Sequence, residues 1–312
     1  MTVAETYAAF AAREARGVSP TYERLSEAVS RDRELLALIE TLPVDKRQPN
    51  LLFGVVRFLR GPVHDPADFR DFVTENWPEI DRQARRRATQ TNECGRCAVL
   101  LPVLSMLPQP LALLEVGASA GLCLYPDRYG YRYGDQRIGG GPPVLECAAS
   151  GLPPVRLPDV VWRGGLDLNP LDVTDPADLG WLDALIWPEN DHRRARLHAA
   201  AAIAAADPPR LVRGDLVDDL PALAAKTPPN ATLVVFHTSV LYQVPEPRRR
   251  AFAEVVRALP GHWIANEDPH VLPYEGLPEP PSGALHSVLA LDGRPLAWTL
   301  PHGQALAWFA DH

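Results

Sequence analysis

Sulfur is scarce in this chain: its 312 residues include four cysteines and two methionines. Cys94, Cys97, Cys123 and Cys147 are too few to staple a chain of this length, so a disulfide scaffold is excluded and apolar burial must supply the stability. Cys94 and Cys97 have the C-x-x-C spacing, but no second pair at metal-site spacing accompanies them, which leaves zinc or redox chemistry a minor alternative and no metal expected. No run of about 18 apolar residues occurs, and no apolar segment follows a basic start, so neither a membrane span nor a signal peptide is expected. A cytoplasmic protein with reduced thiols is the expectation. Positive charge is also short, with 31 Lys and Arg against 39 Asp and Glu and a formal charge of -8. That balance excludes a global footprint for nucleic acid or an anionic membrane. Arg82, Arg85, Arg86 and Arg87 form a local basic run that reads as a solvated helix face.

What is present is 46% hydrophobic sequence and 33 prolines, enough for one large core or a main domain with a smaller one. From Thr2 to about Leu107, apolar residues such as Tyr7, Phe10, Leu25, Val29, Leu35 and Ile39 recur at three-to-four spacing. Pro20, Pro43, Pro49, Pro62, Pro66 and Pro78 fall between the periodic stretches, which predicts five or six short helices over residues 1–107. After Pro110 the pattern changes to strand, turn and helix in alternation, predicting an α/β domain over 108–312 with an insertion around 135–190. Leu111 to Val116 is the first expected strand and Tyr131 to Tyr133 a second; Arg156 to Asp167 reads as an antiparallel pair outside the main sheet. Further strands are expected at Arg210 to Asp215, Ala231 to His237 and Trp263 to Glu267. Helices are expected after Thr174-Asp175-Pro176, over Arg193 to Ala206 and over Arg249 to Leu259. Ser287 to Leu291 and Leu296 to Leu300 form a closing hairpin around Asp292-Gly293.

The most informative segment is Leu113-Leu114-Glu115-Val116-Gly117-Ala118-Ser119-Ala120-Gly121, which reads as a strand breaking into a small-residue turn that opens a helix. Such a turn lets a ligand press against main-chain N–H groups. Ser119 and Leu122 occupy positions where the dinucleotide fingerprint requires glycine, so NAD fits poorly. The acidic-x-Gly-x-x-x-Gly pattern resembles the first motif of class I S-adenosylmethionine-dependent methyltransferases, with Ser119 in place of the central glycine. Tight packing of a strand-to-helix turn is the competing account.

Gln90-Thr91-Asn92-Glu93, the Leu114 to Leu122 segment, Asp167-Leu168-Asn169-Pro170-Leu171-Asp172, Trp187-Pro188-Glu189 and Gly214-Asp215 together resemble a bacterial domain-of-unknown-function family, number 2332, over nearly the whole chain. Where other members carry Asn after Gly-Leu, this chain has Cys123. The resemblance implies a Rossmann-like sheet of the class I methyltransferase type with a closing antiparallel hairpin, behind an N-terminal helical cap. It further implies that Gly117, Ala118, Ser119 and Gly121 lie beside S-adenosylmethionine, with Glu115 closing the first strand. Asp135 would meet the ribose if Tyr131 to Tyr133 is the second strand of the sheet, and Asp167 if it is not. Asp215 falls where the adenine-side residue is expected.

Methyl transfer needs an in-line nucleophile and, for a protonated acceptor, a base. His237 is the candidate base and Tyr242 the candidate that orients the acceptor, since ligands in open α/β sheets bind outside the carboxyl ends of the strands. A hydrogen-bonded structural histidine is the competing account. Glu267, Asp268 and His270 could form an acid and histidine pair at the rim. Asn92, Glu93, Asn169 and Glu189 are substrate-side candidates, with turn stabilisation and helix capping as their alternatives. These readings lead to a methyltransferase acting on a small molecule. The alternatives are a non-catalytic accessory subunit of a partner enzyme, and an adenosine-ligand enzyme with other chemistry.

Overall fold

The structure, a computed structural model, describes residues 1–311. Its first six helices are α1 (Val3–Phe10), α2 (Pro20–Arg31), α3 (Arg33–Glu40), α4 (Pro49–Phe58), α5 (Pro66–Glu75) and α6 (Trp77–Arg86). Local chemistry explains where they begin. Thr2 and Glu5 make a reciprocal capping box on α1, Ser19 caps α2, and Asp32 and Asp65 cap α3 and α5. Prolines stand in the first turn of α2, α4, α5 and α6, where a missing N–H costs nothing. Next come α7 (Cys97–Met106), β1 (Leu111–Val116), β2 (Gly130–Tyr133), β3 (Gln136–Ile138), β4 (Val144–Glu146), β5 (Ala148–Ser150) and β6 (Val160–Asp167). The chain continues through α8 (Pro176–Leu185), α9 (Asp191–Ala206), β7 (Arg210–Arg213), α10 (Leu220–Ala224), β8 (Thr232–Thr238) and α11 (Glu246–Ala258). It closes with β9 (His262–Glu267), β10 (Ser287–Leu291), β11 (Arg294–Thr299) and β12 (Ala305–Trp308).

These elements form two compact units, one of Met1–Thr91 with Thr174–Ala195, the other of Asn92–Val173 with Arg196–His312. Thus α7 belongs with the sheet, while α8 belongs with α1 to α6. The helical unit is centred on aromatic rings: Phe53 packs against Tyr7, Tyr22 and Phe69, and Tyr22 and Phe10 pack against Trp187. Trp187-Pro188-Glu189 is part of this core. The Trp187 indole donates to Asn50 Oδ1 at 3.0 Å, and Glu189 accepts from Ser19 Oγ at 2.6 Å and from the Thr21 N–H at 2.9 Å.

The second unit is α/β, built on a nine-stranded sheet in the order β5-β12-β11-β10-β9-β8-β1-β6-β7. Strands β9, β8, β1, β6 and β7 run parallel, and β10, β11 and β12 follow as an antiparallel meander. Leu114, Val116, Val235 and Trp263 face α10 and α11 in one hydrophobic core with Leu220, Leu223 and Phe252. Side chains alternate along a strand, so Glu115 and Thr238 face the opposite side. Helix α7 packs against β10 and β4. Its interior Pro102 cannot bond the carbonyl of Ala98; that oxygen instead accepts from the Tyr133 hydroxyl at 2.5 Å.

Three expectations require correction. Residues 131–133 are a strand, but in a separate three-stranded sheet, β3-β2-β4, because Gly134 and Asp135 turn the chain back into β3. Residues 160–167 are not an outlying antiparallel pair; they form the parallel neighbour of β1. The glycine turn opens no α-helix, only a 3-10 turn at Leu122–Leu124, since Pro126 keeps Tyr125 out of helical conformation.

The route from β5 to β6 is also distinctive. Ser150 and Val160 lie on strands seven positions apart in the sheet. Residues 151–159 bridge them as a strap without helix or strand. Pro153, Pro154 and Pro158 pre-extend it, Ser105 Oγ accepts from the Arg156 N–H at 3.2 Å, and Gln109 Oε1 accepts from the Asp159 N–H at 2.9 Å.

Candidate functional site

Strand β1 connects onward to one side of the sheet and β8 to the other, so their carboxyl ends form a topological switch point. The glycine turn lies there. Gly117 has φ 70° and Gly121 φ 71°, values that favour glycine, while Ser119 holds φ 50° and Ser239, just after β8, φ 54°. Left-handed conformations at non-glycine residues cost roughly 1–3 kcal/mol each, and two of them flank this switch point. The Ser119 hydroxyl is buried without a hydrogen-bond partner.

The turn is fixed from both sides. Asn92 Nδ2 donates to the Ala118 carbonyl at 3.1 Å, and Asn92 Oδ1 accepts from the Leu122 N–H at 3.0 Å. The Gly117 and Ala118 N–H groups donate to Leu166 O, and the Ser119 N–H donates to Asp167 Oδ2 at 2.7 Å. Asn92 is therefore a positioning residue of the turn, a role its sequence context did not reveal.

Asp167 closes β6 beside that turn, so it inherits the place reserved for a second-strand acid. Asp135 does not, being exposed at the tip of the β2–β3 hairpin. Asp167 Oδ1 accepts from the Asn169 N–H at 2.7 Å, and the Asn169 side chain accepts from Arg213 at 3.2 Å. Asp215 follows β7, where it accepts from the Val217 N–H at 2.7 Å and pairs with Arg248. Partial burial opposes ionisation of Asp215, but these hydrogen bonds and Arg248 prevail and hold it below the ordinary carboxylate range.

His237 occupies a different setting from the one expected of a base. It is fully buried against Phe252 and Trp263 on the α11 side of the sheet. The Trp263 indole N–H donates to His237 Nε2 at 3.0 Å, and an indole can only donate. Nδ1 must then carry the proton that bonds Glu267 Oε1 at 2.7 Å. Both ring nitrogens are spent, leaving no lone pair to accept a substrate proton; this overturns the base assignment. Glu267 therefore pairs with His237 rather than His270, whose backbone N–H bonds Asp268. The same Glu267 oxygen accepts from the Val240 N–H at 2.8 Å, fixing the loop after β8. Val240 in turn packs on Gly117: a Cβ built there would meet Val240 Cγ2 at 2.5 Å. Tyr242 lies in the next 3-10 turn, Leu241–Gln243, with its side chain 62% exposed.

Beneath the turn, Glu115 is fully buried. Burial, reinforced by Cys123, pushes its carboxyl well above the ordinary range despite the pull of Arg96. Arg96 donates to Thr238 O at 2.9 Å and to Pro301 O at 3.0 Å. Glu93, buried nearby, accepts from the Gly95 N–H at 3.0 Å and pairs with Arg196 at 2.9 Å. Glu93 is thus tied to neighbouring backbone and Arg196, and Glu189 belongs to the helical unit, where it anchors the start of α2.

Among the described residues no helix is long and apolar enough to cross a membrane. No curated protein and no solved structure matches the chain. Residues 4–308 match a family described as an uncharacterised protein conserved in bacteria, DUF2332, and the chain belongs to that family.

Proposed function

We propose that the carboxyl edge of β1, β6 and β7 binds the adenosine portion of S-adenosylmethionine, and that the protein methylates a small molecule. The observation that carries this reading is Ser119: a strained, non-glycine residue with a buried unpartnered hydroxyl, sited at the switch point and bonded through its N–H to Asp167. Strain and an unmet hydrogen bond at one residue are costs that a bound ligand offsets.

The donor set suits an adenosine group. Asp167 is the carboxylate that would accept from a ribose diol, Asp215 can accept from an adenine amino group, and Gly117, Ala118, Ser119 and Gly121 form the turn that would lie beside the ligand. The cofactor supplies an activated methyl group. The chain's own contribution is orientation, worth several kcal/mol when reacting atoms are aligned. With His237 spent, the favoured acceptor carries a free lone pair and needs no protein base.

A second reading, a non-catalytic accessory subunit of another enzyme, is favoured by one contact, the Val240 side chain lying on Gly117. Calorimetric titration with S-adenosylmethionine and S-adenosylhomocysteine separates the two. Micromolar binding that weakens at least about tenfold in Asp167→Asn supports the methyltransferase, a tenfold change being about 1.4 kcal/mol. Absence of binding by either ligand refutes it and leaves the accessory reading standing.

A further inference from the structure

The sequence pairs Cys94 with Cys97, but the fold pairs Cys97 with Cys123. Cys97 opens α7 and Cys123 sits in the 3-10 turn directly after Gly121; both are buried. Their thiols hydrogen-bond one another. Cys97 Sγ lies 3.4 Å from Cys123 O, and Cys123 Sγ 3.5 Å from Glu93 O. The Glu115 carboxyl and the Arg96 guanidinium both act on the Cys123 sulfur. Among the described residues no His, Cys, Asp and Glu group suited to a metal ion occurs, so this cluster is not a metal site. The two thiols are also chemically unequal. The Cys97 S–H bond, with help from Arg96 and against burial, draws Cys123 below the ordinary thiol range, while burial pushes Cys97 well above it.

We propose that Cys97 and Cys123 form a hydroperoxide-sensitive thiol pair that closes a reversible disulfide between α7 and the segment following the glycine turn. The Cys123 thiolate attacks one oxygen of the hydroperoxide and breaks the O–O bond. The departing oxygen takes up a proton and leaves as water or an alcohol, and Cys123 becomes a sulfenic acid. Cys97 then attacks that sulfur; the S–S bond forms, the S–O bond breaks, and the hydroxide leaves with the Cys97 proton as water. The two thiols supply the two electrons that reduce the peroxide, and a dithiol reverses the change. Hydrogen peroxide, little larger than water, suits a pair so deeply covered.

The experiment uses the full-length reduced protein. After treatment with excess hydrogen peroxide and denaturing alkylation, peptide mass spectrometry without reductant is expected to show two of the four thiols lost together. A Cys97–Cys123 cross-link should appear and be abolished by dithiothreitol. In Cys97→Ser, Cys123 is expected to stop at the sulfenic acid and be captured by dimedone; in Cys123→Ser, Cys97 stays reduced. Four alkylated thiols in the treated wild type overturn the proposal. A cross-link between Cys94 and Cys97, or oxidation of the pair only in urea, overturns it equally.

Discussion

Replacing Asn92 tests how the glycine turn is held. Its amide spans the turn, giving one hydrogen bond to Ala118 O and receiving one from the Leu122 N–H, and Leu122 is fully buried. Each bond contributes about 0.5–1.5 kcal/mol net, and a buried N–H left without an acceptor costs about 1–3 kcal/mol, so Asn92→Ala should lose about 2–3 kcal/mol. For a unit of about 200 residues that corresponds to a fall in Tm of about 5–7 °C. Asn92→Asp adds a sharper signature. Its carboxylate keeps the acceptor for Leu122 but turns a second oxygen toward the Ala118 carbonyl, a contact that only the protonated form makes favourable. The introduced group therefore has a raised pKa in the folded state. Its stabilisation is complete below the unfolded carboxyl pKa, about 3.9, and is lost as pH rises. Melting followed by circular dichroism across that range should show the Asp variant approaching wild type in acid and falling below it at neutral pH. An Ala variant melting within about 1 °C of wild type, or an Asp variant whose deficit ignores pH, would refute the clamp.

Two other outcomes follow from the same region. Burial raises the Glu115 carboxyl in the folded state, so wild-type stability drops as pH rises above the unfolded carboxyl pKa. Glu115→Gln removes that loss: urea unfolding should find it more stable than wild type at neutral pH, by about 1.4 kcal/mol per unit separating the two states, and equal in acid. A variant less stable at neutral pH contradicts a raised Glu115 carboxyl. Gly117→Ala should cost about 1–2 kcal/mol for its left-handed backbone and about 1–3 kcal/mol for its contact with Val240. Val240→Ala in the same chain should restore only the second part, and strictly additive effects in a double-mutant cycle count against the contact.

Strands with apolar, β-branched runs were legible in the sequence: β1, β8, β9 and the β10–β11 hairpin fall where pattern alone puts them. β6 was not, because its parallel position demands residues that disguise a strand. A side chain at Gly165 would meet Ala118 and Leu211 at 2.6 Å, and Arg163 is satisfied by its 2.6 Å pair with Asp127 and by the Leu124 carbonyl at 2.6 Å. β2 shows the converse, since periodicity identifies a strand but not its neighbours. The turn and Asp167 were visible as a motif. The state of His237 was not: it depends on Trp263 and Glu267, distant in sequence, and no local signal tells a spent imidazole from a reactive one.

The strap between β5 and β6 makes length itself a constraint. A belt stiffened by three prolines and pinned at Arg156 and Asp159 tolerates added residues, since extra loop costs little entropy. Removing several would force the chain to release either the parallel partner of β1 or the short strand that covers the rim of β12. Losing the latter would bare a row of unpaired backbone groups, and the molecule would acquire a sticky margin on which a strand from another chain could add itself.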